Sequence, residues 1–110
     1  MAYDADLAER LRALLAGRPG VSEKGMFGGW AFLLGGHLAV AASRDGGLLL
    51  RCDPARTDEL VAGLPATRME MHGRQLDGWL RVPAPAVEDD EQLRRMVALG
   101  TEYAGSLRPK

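Results

Sequence analysis

Two short apolar runs, residues 30–34 and 37–43, have nothing between them but Gly35-Gly36. A two-residue connection sends the chain straight back on itself. Both central positions of the favoured turn, type I′, take positive φ, which glycine adopts at no steric cost. The glycine pair therefore predicts a β-hairpin, and with it an antiparallel sheet. Residues 21–28 precede it as a further strand, weakened by Gly25. Asp45-Gly46-Gly47 reads as a second turn of the same kind and leads into Leu48-Leu49-Leu50-Arg51-Cys52. The middle of the chain is expected to be an antiparallel meander of three or four strands.

Helical periodicity brackets this meander. Asp4 is a candidate N-cap, and Leu7, Leu11, Leu14 and Leu15 follow as one apolar stripe until Gly17, Pro19 and Gly20 stop it. Asp53-Pro54 opens a second, short helix, since aspartate caps and proline suits a first helical position whose N–H would be unpaired anyway. Leu60, Val61 and Leu64 form its apolar side. Thr67-Arg68-Met69-Glu70-Met71 then alternates with period two, His72-Gly73 turns the chain, and residues 79–82 make a last strand. The closing helix begins at Glu88-Asp89-Asp90-Glu91, where negative charge complements the helix dipole, and carries Leu93, Met96, Val97, Gly100, Tyr103, Ala104 and Leu107 on one face.

The predicted order is one helix, three or four strands, a helix, two strands and a helix. Strands grouped by tight turns, with helices gathered against them, define a two-layer α+β fold with an antiparallel β-sheet packed against helices. The length of 110 residues fits one domain, residues 1–110. One cysteine, Cys52, excludes an intrachain disulfide and suits a reducing compartment. No apolar run reaches the ~20 residues that span a bilayer, and the N-terminus is acidic where a secretory signal is basic. A cytoplasmic protein without a membrane role is expected.

Charge bears on partners. Fourteen basic and 15 acidic residues leave a formal charge of −1, which disfavours binding driven by phosphate neutralisation. Arg51 and Arg81 each alternate with apolar neighbours, and Trp79 shares the parity of Arg81. If their strands adjoin, Arg51, Trp79 and Arg81 share one sheet face, a combination suited to a protein partner or to nucleic acid. The competing reading is an ordinary amphipathic sheet with Trp79 under a helix.

Chemistry is sparse. Met26-Phe27-Gly28-Gly29 lacks the glycine–lysine–serine/threonine ending of a phosphate loop and precedes a strand, so it reads as a structural bend needing positive φ, with Phe27 packed inward. His37 and His72 sit at separate turns, and period-two counting puts Cys52 in the core, which leaves no metal-ligand set. None of Ser22, Ser43 and Ser106 lies in a nucleophile-elbow pattern. Glu70 and Asp77, the available acid pair, read as solvated ion-pair partners of Arg68 or Arg74. No catalytic residue, metal or cofactor is expected.

The stretch from Met26-Phe27-Gly28-Gly29 through Trp30-Ala31-Phe32-Leu33-Leu34, with Leu48-Leu49-Leu50-Arg51, Met69-Glu70-Met71 and Gly78-Trp79-Leu80 after it, resembles the TfoX N-terminal domain family. The resemblance runs from about residue 4 to the end. It implies a two-layer fold with an antiparallel sheet. It also implies a bacterial regulator, since named members control natural competence together with the cyclic-AMP receptor protein. Those members carry a second, C-terminal domain, so the chain resembles a stand-alone N-domain. The expected function is a non-enzymatic regulatory or adaptor domain acting on a protein partner or as a homodimer. The alternatives are direct nucleic-acid binding through the sheet-face arginines and a small enzyme with an unrecognised site.

Overall fold

Asp4 starts the first helix: its carboxylate accepts from the backbone N–H groups of Asp6 and Leu7 at 2.9 and 3.1 Å. In the computed structural model, which describes residues 3–110, α1 then spans Ala5–Leu15. Its buried stripe is Leu7, Ala8, Leu11 and Leu15. Leu14, expected in that stripe, is exposed. Seven residues fall about 20° short of two turns, so Leu14 lies at the rim of an arc centred nearer Leu11.

Four strands follow: β1 (Val21–Met26), β2 (Gly29–Leu34), β3 (His37–Ala42) and β4 (Leu48–Arg51). A 3-10 turn at Pro54–Arg56, capped by Asp53, runs into α2 (Thr57–Gly63). β5 (Thr67–Met71) and β6 (Arg74–Val82) form a hairpin, and a second 3-10 turn (Ala84–Val87) leads to α3 (Asp90–Ser106). Both Phe27-Gly28 and His72-Gly73 match Gly35-Gly36 in having positive φ at each residue. Three of the four hairpins thus carry the type I′ signature.

The fourth hairpin departs from expectation. The Ser43 carbonyl accepts from Gly46 N–H at 3.0 Å, and Ser43 N–H donates to the Gly47 carbonyl at 2.8 Å. Here three residues make the turn and only Gly46 has positive φ. Asp45 favours the longer form because its carboxylate accepts from Gly47 N–H at 3.3 Å. β6 also begins earlier than expected. Its first residues are polar and largely exposed, and pairing with β5 through the His72-Gly73 turn carries them into the sheet.

The sheet order is β1-β2-β3-β4-β6-β5, with every neighbouring pair antiparallel. The α+β, two-layer expectation is met. All three helices pack on one sheet face. Leu7, Leu11 and Leu15 of α1, Leu60 of α2, and Leu93, Met96 and Val97 of α3 join Phe32, Val40, Leu48, Leu50, Leu80 and Val82 in one core. Each such side chain contributes about 1.5–3 kcal/mol through burial. α3 comes close enough that a Cβ on Gly100 would stand 2.5 Å from the Ala39 carbonyl oxygen. Ala39 is the extra residue where the β2–β3 register shifts. Among the described residues, no helix is long and apolar enough to cross a membrane.

The opposite face has its own cluster. Ala31, Leu33, Leu38, Ala41 and Leu49 are buried there, with Met26, Met69 and Trp79 packed around them. No helical residue belongs to this cluster. The sheet curls over it, so that Met26 on one edge strand and Met69 on the other line a single small concavity.

Candidate functional site

Directly opposed residues of an antiparallel pair share a face. β4 and β6 are neighbours, with Arg51 opposite Trp79 and Leu49 opposite Arg81. By strand parity Arg51, Trp79 and Arg81 therefore do share the face opposite the helices, although the Arg51 guanidinium sits at the sheet's end, where α3 also reaches it. All three are half-buried. The Arg51 guanidinium lies 4.5 Å from the centre of the Trp79 ring and 5.3 Å from that of Tyr103 on α3. Two rings thus hold it at the end of β4, a geometry in which a cation is attracted to the π face. Among the described residues no carboxylate pairs with it. Arg81 differs, because it forms an ion pair with Asp45 of the three-residue turn.

A bulge in β6 positions Trp79. The β5 register passes from Arg68 opposite Leu80 to Met69 opposite Leu76, leaving Asp77, Gly78 and Trp79 without β5 partners. The excess chain is pinned from the other side. Gly78 N–H donates to the buried Thr57 hydroxyl oxygen at 2.8 Å, and its carbonyl accepts from Cys52 N–H at 2.9 Å. The Thr57 hydroxyl in turn donates to the Pro54 carbonyl at 2.7 Å. The start of α2 thereby sets the backbone beneath the Trp79 ring.

Met26-Phe27-Gly28-Gly29 is the β1–β2 turn. It is a positive-φ bend, as expected, with Phe27 at φ 54° and Gly28 at φ 77°. Phe27 is not packed inward; it is 52% exposed. The first central residue of such a turn lies beyond the last paired residues, so its side chain leaves the end of the hairpin instead of entering either layer. Left-handed backbone costs an aromatic residue about 1–2 kcal/mol. Gly29 is required by close approach, since a Cβ there would overlap the Ala42 carbonyl oxygen. The Arg44 side chain lies against the same turn, 3.0 Å from where a Cβ on Gly28 would stand.

These parts surround the concavity on the uncovered face. Met26, Phe27, Leu49, Met69, Arg44 and Arg81 line it, and its volume is about 80 Å³. Pockets that enclose small molecules usually hold ~300–1,000 Å³; this one suits a single side chain. Its apolar walls include two methionines, whose unbranched side chains adapt to the shape they meet.

The remaining chemical candidates are scattered. Burial pushes the Cys52 thiol up from its ordinary value. His37 donates from Nε2 to the Arg108 carbonyl at 2.8 Å and so ties down the C-terminal residues. Asp77 accepts from Arg68 at 2.9 Å, while Glu70 is exposed opposite Gln75 on β5–β6. Among the described residues, no group of three His, Cys, Asp or Glu is placed to hold a metal ion. On the helical side, Glu23 accepts from Arg12 at 2.7 and 2.9 Å and from the Trp30 indole at 2.7 Å. The Arg12 guanidinium, and then the indole, hold the Glu23 carboxyl down at about 2.

Reasoning from single strands missed Lys24, Arg44 and Met69 as members of this face. Hairpin register holds the signal for Lys24: a turn at Phe27-Gly28 places it opposite Ala31, whose side chain lies in the uncovered cluster. The model of the TfoX N-terminal domain matches residues 13–104, all of the sheet and most of α3. No curated protein matches the chain. With that match spanning most of its length and every strand of its sheet, the chain belongs to the TfoX N-terminal domain family.

Proposed function

We propose that this chain is a non-enzymatic regulatory domain that works by holding a partner protein on the sheet face opposite its helices. One observation carries the reading: among the described residues no helix joins that face's apolar cluster, and its buried centre is closed over by Met26, Met69 and the half-buried Trp79, with the exposed Phe27 at the rim. Aromatic residues and arginine are enriched among the side chains that carry most of the binding energy of a protein interface. Membership of a family of regulators supports the same reading. The edges of the sheet are less inviting. β1 presents Glu23 and Lys24 and β5 presents Arg68 and Glu70, and charge on an edge strand discourages pairing with a second copy.

The test is capture of tagged protein from its native lysate, with and without nuclease, beside the Phe27→Ala and Trp79→Ala chains. A protein retained after nuclease and lost with either substitution supports the reading. A captured set indifferent to both substitutions refutes it. Nucleic-acid binding is the second reading, and the cations beside Trp79 favour it. It requires affinity for a short oligonucleotide that falls steeply with salt.

A further inference from the structure

The charge of the uncovered face specifies a partner more narrowly. We propose that its occupant is an acidic amphipathic segment of a protein, with carboxylates flanking one large apolar side chain. The inference rests on the protein-binding reading above and adds the chemistry of the partner.

The charges of this chain are segregated by sheet face. Lys24 stands opposite Ala31, Arg51 opposite Trp79 and Arg81 opposite Leu49, all on the uncovered side. Arg44 joins them beside the Phe27-Gly28 turn. Arg74, opposite Met71 and so of the parity of Met69, is a fifth cation, and among the described residues one carboxylate reaches the face, that of Asp45, with which Arg81 already pairs. The other acids belong to helices, their caps and turns, or strand positions of the opposite parity, with Asp77 held by Arg68. A chain with net charge −1 thus presents a basic surface on one side. Lys24 and Arg44 are exposed, and Arg51 has aromatic rather than anionic neighbours. Complementary charge of this kind steers encounter and selects among partners.

The centre of the face supplies the second half of the specification. The concavity between Met26, Phe27 and Met69 takes one apolar side chain. Around it the buried groups are aliphatic, Ala31, Leu33, Ala41 and Leu49. A nucleic-acid strand would want a series of free aromatic faces on which to stack bases. Here the Trp79 ring already carries the Arg51 guanidinium. An acidic peptide with a single apolar anchor uses both the concavity and the cations around it.

The proposal is tested by panning a random peptide library against the folded full chain. Enriched peptides should be net acidic and share a large apolar residue. Synthetic versions should lose at least about tenfold in affinity when their carboxylates are made amides, and again on the Arg44→Glu chain, as expected for paired interface charges. Arg44 is exposed on a turn, and an unchanged melting temperature shows that its variant is folded. Enrichment of neutral or basic peptides, or acidic peptides that bind the Arg44→Glu chain unchanged, overturns the acidic partner and leaves the protein-binding reading standing. No enrichment, with salt-sensitive binding of a short oligothymidylate instead, overturns both.

Discussion

Phe27 puts an aromatic residue in left-handed backbone at φ 54° and leaves 52% of it exposed. Strain and exposure can be separated by two substitutions. Phe27→Ala and Phe27→Asn delete the same ring and the same partial burial. They differ in what the backbone asks of them: alanine keeps the steric cost of positive φ, whereas asparagine tolerates it and, before Gly28, makes the preferred type I′ pair. The Phe27→Asn chain should therefore be the more stable of the two by about 1 kcal/mol. With an unfolding entropy of about 2.1 cal/mol/K per residue, that difference moves the melting temperature of this chain by about 4 °C. Urea unfolding should show it as a shift in midpoint at constant slope. Both chains should fail equally to retain the partner, because both lack the ring. Equal midpoints would refute the claim that the turn is strained. A Phe27→Asn chain that still retained the partner would refute the claim that the ring is an anchor.

Three further substitutions test the packing. The Glu23 carboxyl is held at about 2 in the fold, so its contribution to stability is complete above the ordinary carboxylate range and is lost as pH falls through about 2. Discounted for solvent exposure, that contribution is about 1 kcal/mol. The Glu23→Gln chain should show a shallower fall in urea midpoint between neutral and strongly acid pH, and parallel curves would count against the network. Gly100→Ala forces α3 away from the Ala39 carbonyl and should cost about 1–3 kcal/mol, read as a lower melting temperature; an unchanged one would mean the helix shifts freely. Thr57→Val leaves the Gly78 N–H without its buried acceptor, a loss of about 1–3 kcal/mol. Hydrogen exchange at Gly78 should accelerate more than at Leu80, and uniform acceleration would deny the local role.

Much of the architecture is legible in turn chemistry. Gly35-Gly36 and His72-Gly73 mark hairpins because few residues other than glycine accept left-handed backbone freely, and the Asp4 and Asp53 caps and the acidic run at residues 88–91 mark helix starts. The three-residue turn at Arg44-Asp45-Gly46 was legible as a turn but not in its length, since that depends on a side-chain hydrogen bond from Gly47 to Asp45. Asp77-Gly78-Trp79 was harder. A bulge held by Thr57 and Cys52 follows from contacts between distant segments, which local periodicity does not report. The site was legible in the same proportion. Parity placed Arg51, Trp79 and Arg81 correctly on one face. The basic character of that face stayed hidden in the chain-wide charge because acids crowd the opposite side, and only register sorts the two. The bend at Phe27-Gly28 was legible, but not the direction of the ring: a core was expected to take the aromatic side chain, whereas the first central residue of the turn points it off the end of the hairpin.

The strand order also governs how the molecule assembles. β1 to β4 join through short local turns, and so do β5 and β6, so each group can form before the other. The seam between β4 and β6 is different. It brings Arg51 to Trp79 and Leu48 to Val82 across a long loop that contains α2 and β5, and closing that loop costs entropy before any pairing offsets it. The seam thus carries the largest loop-closure cost of any pairing in the sheet. Arg51 and Leu49 lie on one side of it, Trp79 and Arg81 on the other. A partner bound across that face would act as a clasp, slowing unfolding and linking occupancy to the lifetime of the folded chain.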